Sequence, residues 1–250
     1  MKRLALILCL LWGGEAQAQW ALRTAWAASD PTGSADTIVF TFATTTATDL
    51  LVCGFRWSGG GIIPSSVADS LTQTWSQAYY VDSSVDVAVY YKEGTAGGSS
   101  VAVTMTLSGA SSGRTVACGA YSGIATSSAL DKAIGQAQTN PGTGTDAVTS
   151  TATMAIAEAN ELVLGVIQGN EEGITYTAGT DFTDRLNVDN TTATNSHWLI
   201  EDRTLSAPST ATATATVSST TVDTVAVVAA FKIATAAVAR KCIVGGGLIC

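Results

Sequence analysis

The chain has a single histidine, His197. A Ser-His-Asp relay would set that ring between a nucleophile and an acid, yet no serine sits in a Gly-x-Ser-x-Gly elbow or a comparable motif. The usual zinc sites need more imidazoles than one. On the strand expected over residues 196–202, His197 shares a face with Leu199 and Glu201, opposite Trp198, Ile200 and Asp202. With Trp198 and Ile200 turned inward, His197 is expected to face solvent. Carboxylates cluster more strongly, as Glu171-Glu172, Asp181, Asp184, Asp189 and Glu201-Asp202. Such acids can flank a glycosidic bond, supply oxygens to calcium, or sit in turns and pair with Arg185 and Arg203. The spacing from Asp181 to Asp184 is not an EF-hand loop, so the third role is adopted. No cofactor is expected, with calcium on Asp181 and Asp184 as the alternative.

Aromatic rings are the other chemical resource. Trp57, Trp75, Tyr79, Tyr80, Tyr90 and Tyr91 crowd into the first half, and exposed rings stack on sugar faces. Trp57, Trp75, Tyr80 and Tyr90 are the candidate ligand contacts, with Tyr90 expected on the outward face beside Asp86 and Lys92. The bland alternative is that the rings fill the core, their polar atoms reaching water. Four cysteines follow the leader: Cys53, Cys118, Cys242 and Cys250. Cys53 and Cys118 lie mid-strand among apolar residues, as small buried groups or as an inter-strand bridge. Cys242 and Cys250 bracket a Gly-rich tail and can close a local loop or cross-link copies.

The elements that must position these groups are strands. Residues 209–231 read STATATATVSSTTVDTVAVVAAF: strict alternation, a short polar turn, then an apolar run. Residues 100–121 echo it, and in both the second strand begins Thr-Val-Ala, at Thr115 and at Thr224. Period two is the mark of a half-buried strand. Residues 50–57 (LLVCGFRW) are apolar throughout, hence central. The turn into them, Ala47-Thr48-Asp49-Leu50, is matched by Ala159-Asn160-Glu161-Leu162, roughly 110 residues later. Residues 122–148 form the longest polar interval, holding one short strand near 132–138 or a linker. Helical patterns are nearly absent. The fold class is all-β: a two-layer antiparallel β-sandwich, jelly-roll-like, with internally duplicated halves at about 37–121 and 149–232. One pair of layers shared by both halves is expected, because each half has few large aromatics.

Residues 1–18 carry the marks of a secretory signal: Lys2 and Arg3, the apolar LALILCLLW, and Ala16-Gln17-Ala18 before the expected cut. The 46% apolar and 13% charged composition suits a secreted β-protein, and the net charge of −8 argues against nucleic acid and anionic membranes as partners. No segment after the leader is long and apolar enough to span a bilayer as a helix. The sandwich is placed at 19–235 and a Cys/Gly-rich tail at 236–250.

Several short motifs together resemble a largely uncharacterised module of secreted bacterial and phage-associated surface proteins. They are Asp69-Ser70-Leu71 with Trp75, Gly97-Gly98, Ala120-Tyr121-Ser122-Gly123 followed by Asp131, Asn160-Glu161-Leu162, TAGTDFTDR from Thr177, Ile200-Glu201-Asp202-Arg203, and Ala229-Ala230-Phe231-Lys232. The similarity spans about 38–232. One departure is Thr72-Gln73, where the pattern prefers Gly-Asn. The resemblance implies architecture and assigns no catalytic residue. The functional expectation is a secreted, non-catalytic surface or adhesion module that binds extracellular polysaccharide or another cell-surface component. The alternatives are a self-associating structural subunit using its tail, and a glycan-active hydrolase.

Overall fold

The structure, a computed structural model, describes residues 19–150, 154–190, 195–235, 243–244 and 247–248. The leader, Cys242 and Cys250 lie outside the described residues. The first half contains β1 (Ala21–Ser29), β2 (Ala35–Thr45), β3 (Leu50–Trp57), β4 (Pro64–Asp69), β5 (Ser76–Val81), β6 (Asp86–Lys92), β7 (Gly98–Ser111) and β8 (Thr115–Ser122). The second contains β9 (Leu130–Thr139), β10 (Val148–Thr149), β11 (Met154–Ala155), β12 (Glu161–Gly169), β13 (Tyr176–Ala178), β14 (Thr183–Asn190), β15 (Ser196–Leu205), β16 (Thr210–Ala211), β17 (Thr214–Val217) and β18 (Asp223–Phe231). A tail hairpin, β19 (Ile243–Val244) with β20 (Gly247–Leu248), follows. The interval expected as a linker or short strand carries the ten-residue β9, which pairs with β18 from end to end.

Each half is a two-layer antiparallel sandwich in itself. A five-stranded sheet, β1-β8-β3-β6-β5, covers the three-stranded β2-β7-β4; in the second half, β9-β18-β12-β15-β14 covers β10-β17-β13 and β11-β16. The two large sheets have the same order of corresponding strands, so the duplication read from the turns extends to topology. Backbone conformation repeats too: Thr48 and Asn160 (φ 71° and 64°) precede the central strands, and Thr72 and Asp181 (φ 59° and 68°) sit in matching turns. Thr72 holds the left-handed conformation for which glycine is the easier residue.

The layer count differs from the single shared pair expected. The two five-stranded sheets pack face to face, giving four layers and a central core of Leu50, Val52, Val87, Val89, Leu162, Leu164, Val166, Trp198, Ile200, Val227 and Phe231. Ile38, Phe42, Phe55, Trp57, Met105 and their neighbours fill the first outer core. Val148, Ile167, Tyr176, Leu199 and Val217 form one outer core of the second half, and Ile156, Val163, Ala213 and Val228 another. The central strands of the middle sheets, β3, β8, β12 and β18, are buried on both faces, whereas the sheet-edge strands β1, β5 and β9 are half-exposed and the outer-layer strands β7 and β17 alternate. A continuous apolar run here is therefore a central strand of an inner layer, and the strictly alternating runs of β7 and β17 lie in the outer layers. The turns after β7 and β17 carry the chain from outer sheet to inner sheet, not around a hairpin.

Candidate functional site

The residues singled out for chemistry are placed mostly as structure. Trp57 is fully buried and stacks on Tyr80 at 5.5 Å; its indole N–H donates to the Ile62 carbonyl. The Tyr80 hydroxyl donates to Asp86, itself buried and held up to about 6, chiefly by burial. Trp75 donates to the Asp69 carboxylate, which also accepts the backbone N–H of Leu71 and Gln73 and so ties the turn that follows β4. Tyr90 does not face outward: it lies in the first outer core, edge-on to Phe55, and its hydroxyl donates to Gln77. Trp57, Trp75 and Tyr90 thus present no ring face to a sugar, because the large sheet that carries Trp57 and Tyr90 is covered on both sides. Cys53 and Cys118, opposite each other on β3 and β8, form a disulfide inside the same core.

The acids and the histidine are dispersed likewise. His197 is buried, not solvent-facing: Trp198 and Ile200 do point into the central core, but the opposite face of β15 is roofed by the outer sheet. Its Nδ1 meets Asp189 at 2.6 Å, its Nε2 meets Asn187 at 2.6 Å, and Tyr176 lies against the ring. Both ring nitrogens are engaged, and neither is presented to a hydroxyl nucleophile. Glu201 and Asp202 point to opposite faces of β15, so they form no acid pair. Glu201 accepts the backbone N–H of Gly179 and Thr214, plugging the outer layer, and burial pushes it up to about 8 against those two donors. Asp202 accepts from Tyr121 and Arg185 at the central seam, where Trp26 in turn donates to Tyr121. Asp181 is exposed, and Asp184 accepts from Asn187. Among the described residues no three His, Cys, Asp or Glu side chains converge as a metal-ligand set.

Three candidate surfaces remain. A shallow depression of about 360 Å³, where the connector between the halves meets the segment after β18, is lined by Thr126, Ser127, Ser128, Glu158 and Lys232 among others. The second is the outward face of β2-β7-β4. Registers place Ser66, Thr106 and Thr37 in one row across its three strands, Ala68, Thr104 and Val39 in the next, and Ala102 beside Thr41 in a third. No side chain in these rows is ionisable. Rows step by about 4.8 Å across strands and about 7 Å along them, which makes a flat lattice of hydroxyls and methyls. The third, smaller face belongs to the second half and pairs Thr149 with Thr214 and Thr177 with Thr216. Thr212, Thr214 and Thr216 lie half-buried on this outer side, in line with the outward Thr pattern of the sequence. The first lattice was missed in the sequence because only register brings β2, β4 and β7 side by side; the alternation within each strand was the available signal. No family model, curated protein or solved structure matches the chain.

Proposed function

We propose that this is an exported, non-catalytic β-sandwich protein that works outside the cytoplasm as a surface or adhesion module, binding a neutral polysaccharide. The observation that carries the reading is the uncharged Thr/Ser/Ala lattice on β2-β7-β4. A protein with 20 acidic and 12 basic residues keeps its charges off this face. Threonine offers a hydroxyl for hydrogen bonding beside a methyl for the apolar face of a sugar ring, and a flat sheet suits an extended polymer. The buried Cys53–Cys118 bridge supports export, since disulfides persist in oxidising compartments. A second reading, a structural subunit that self-associates through its tail, draws on the β19–β20 hairpin beyond the sandwich.

Sedimentation with insoluble cellulose and chitin tests the first reading. Wild type is expected to co-sediment, and Thr104→Asp with Thr106→Asp to remain in the supernatant while keeping its β-type circular dichroism. Equal retention of both proteins, or of neither, would remove the lattice from consideration.

A further inference from the structure

Sheet edges expose unpaired backbone groups, and folded proteins blunt them with charge, proline, bulges, shortness or a cover. Most long edges of this molecule carry such a device. β1 has Arg23 and two register shifts. β4 is short, starts at Pro64 and shifts register once. β5 is six residues long with a shift, and packs beside β9. β14 bears Asp184, Arg185 and Asp189 and another shift. β9 carries Asp131 and Lys132, and its Gln136 and Gln138 amides bond the backbone at Thr149 and Ala147. The edges of the second outer layer are two or three residues long.

β2 is the exception. It is eleven residues long, and its one charged residue, Asp36, and its single register shift, between Ala35 and Thr37, both lie at the start. From Thr37 to Thr45 it reads TIVFTFATT, without charge, proline or glycine. The Thr37 carbonyl accepts from Arg114, so it points away from β7. Strand alternation then turns the N–H and C=O of Val39, Thr41 and Ala43 the same way. Among the described residues those three make no backbone bond outside the β2–β7 ladder. Val39 is 41% exposed, and the other large exposed hydrophobic side chain among the described residues, Ile63, sits at the opposite rim of the same sheet.

We propose that β2 is a docking edge that pairs antiparallel with β2 of a second copy of this chain about a two-fold axis, extending the outer sheet from three strands to six. A second copy fits for two reasons. An antiparallel edge is self-complementary under a two-fold axis, every donor meeting the acceptor of an identical strand. The chain is also acidic, and copies approach with least repulsion through a stretch that carries no charge. A strand pair buries less than the roughly 800 Å² per partner of a stable interface, so association is weak and concentration-dependent. The pairing does not depend on polysaccharide binding, which is carried by side chains on the sheet face.

Analytical ultracentrifugation of the full chain over about 1–500 µM, a range set by the modest area, tests the proposal. Wild type is expected to pass from monomer to a non-covalent dimer. Thr41→Pro, which removes one edge N–H, and Val39→Lys, which charges the edge, are each expected to stay monomeric with unchanged circular dichroism. Ala68→Lys, exposed on the opposite edge strand β4, is expected to dimerise as wild type does. A wild type that stays monomeric throughout, or a dimer that survives both β2 substitutions, would overturn it.

Discussion

The two halves share a strand order and differ in how they fill the space beneath the outer sheet. In the first, Cys53 on β3 lies between Cys118 and Tyr90, and a disulfide and a large ring occupy the middle of the core. At the matching place in the second, Gly165 on β12 lies between Val228 and Glu201. A methyl on Gly165 would sit 2.6 Å from the Glu201 side chain, so the glycine leaves room for a carboxylate that binds two backbone N–H groups. One half is therefore closed by covalent and aromatic packing, the other by a polar plug under a divided outer layer. A second contrast lies where each central strand begins. Buried Asp49 meets Arg23 at 3.0 Å, whereas the place of Arg23 on β1 falls to Asp131 on β9, near buried Glu161. The lesson is that a duplicated topology tolerates opposite solutions, provided the seam between the halves stays closely packed and its few polar groups, such as Tyr121 with Asp202 and Trp198 with Thr115, are paired across it.

The seam itself predicts the largest effect. Trp198 is fully buried there and donates to Thr115 of the other half. Trp198→Ala is expected to cost about 3–5 kcal/mol, and to unfold both halves in a single calorimetric transition. Two separated transitions would mean that the halves fold independently. Replacing Cys53 and Cys118 together by alanine acts on the first half alone. Loss of about 2–4 kcal/mol is expected, seen as a lower denaturant midpoint, with hydrogen exchange rising first in β2, β4 and β7.

Acidity sharpens the contrast from the other side. Burial raises Glu201 from its ordinary 4.5 to about 8, and raises Glu161 to about 7 with help from Asp131 and Glu158. Folded-state values above the unfolded ones mean that the associated stability is complete below about pH 4.5. It declines as pH rises through about 7 and 8. In the first half Asp86 reaches only about 6. Melting temperature should therefore fall between pH 5 and 8, and Glu161→Gln and Glu201→Gln should flatten that decline more than Asp86→Asn does. An unchanged slope in both glutamine variants would place the proton uptake elsewhere. The smallest effect belongs to Arg23→Ala. Its side chain is 45% exposed, so a loss of at most about 1 kcal/mol is expected in chemical denaturation.

Much of the architecture was legible in the chain. Alternation in residues 209–217 and the apolar run of residues 50–57 marked outer and inner strands, and Asp49 and Glu161 after their left-handed neighbours marked the duplication. The candidate sites were less legible. The Tyr90 and His197 expectations followed strand parity, and parity separates two faces without saying what covers either. Tyr90 sits on a strand with a sheet on each side, so its outward face is another core. His197 lies on the face parity assigned it, under a roof of β13. The four layers were missed because composition counts apolar residues without dividing them among cores.

By itself, the sequence determined the class of structure, its strands and its repeat, since these follow from side-chain period and turn chemistry, which act over a few residues. The tertiary structure alone decided which faces are buried, that Cys53 meets Cys118 across 65 residues of chain, and that β2 is left at an open edge. Those outcomes depend on how sheets stack and register, and such contacts join residues that no local pattern connects.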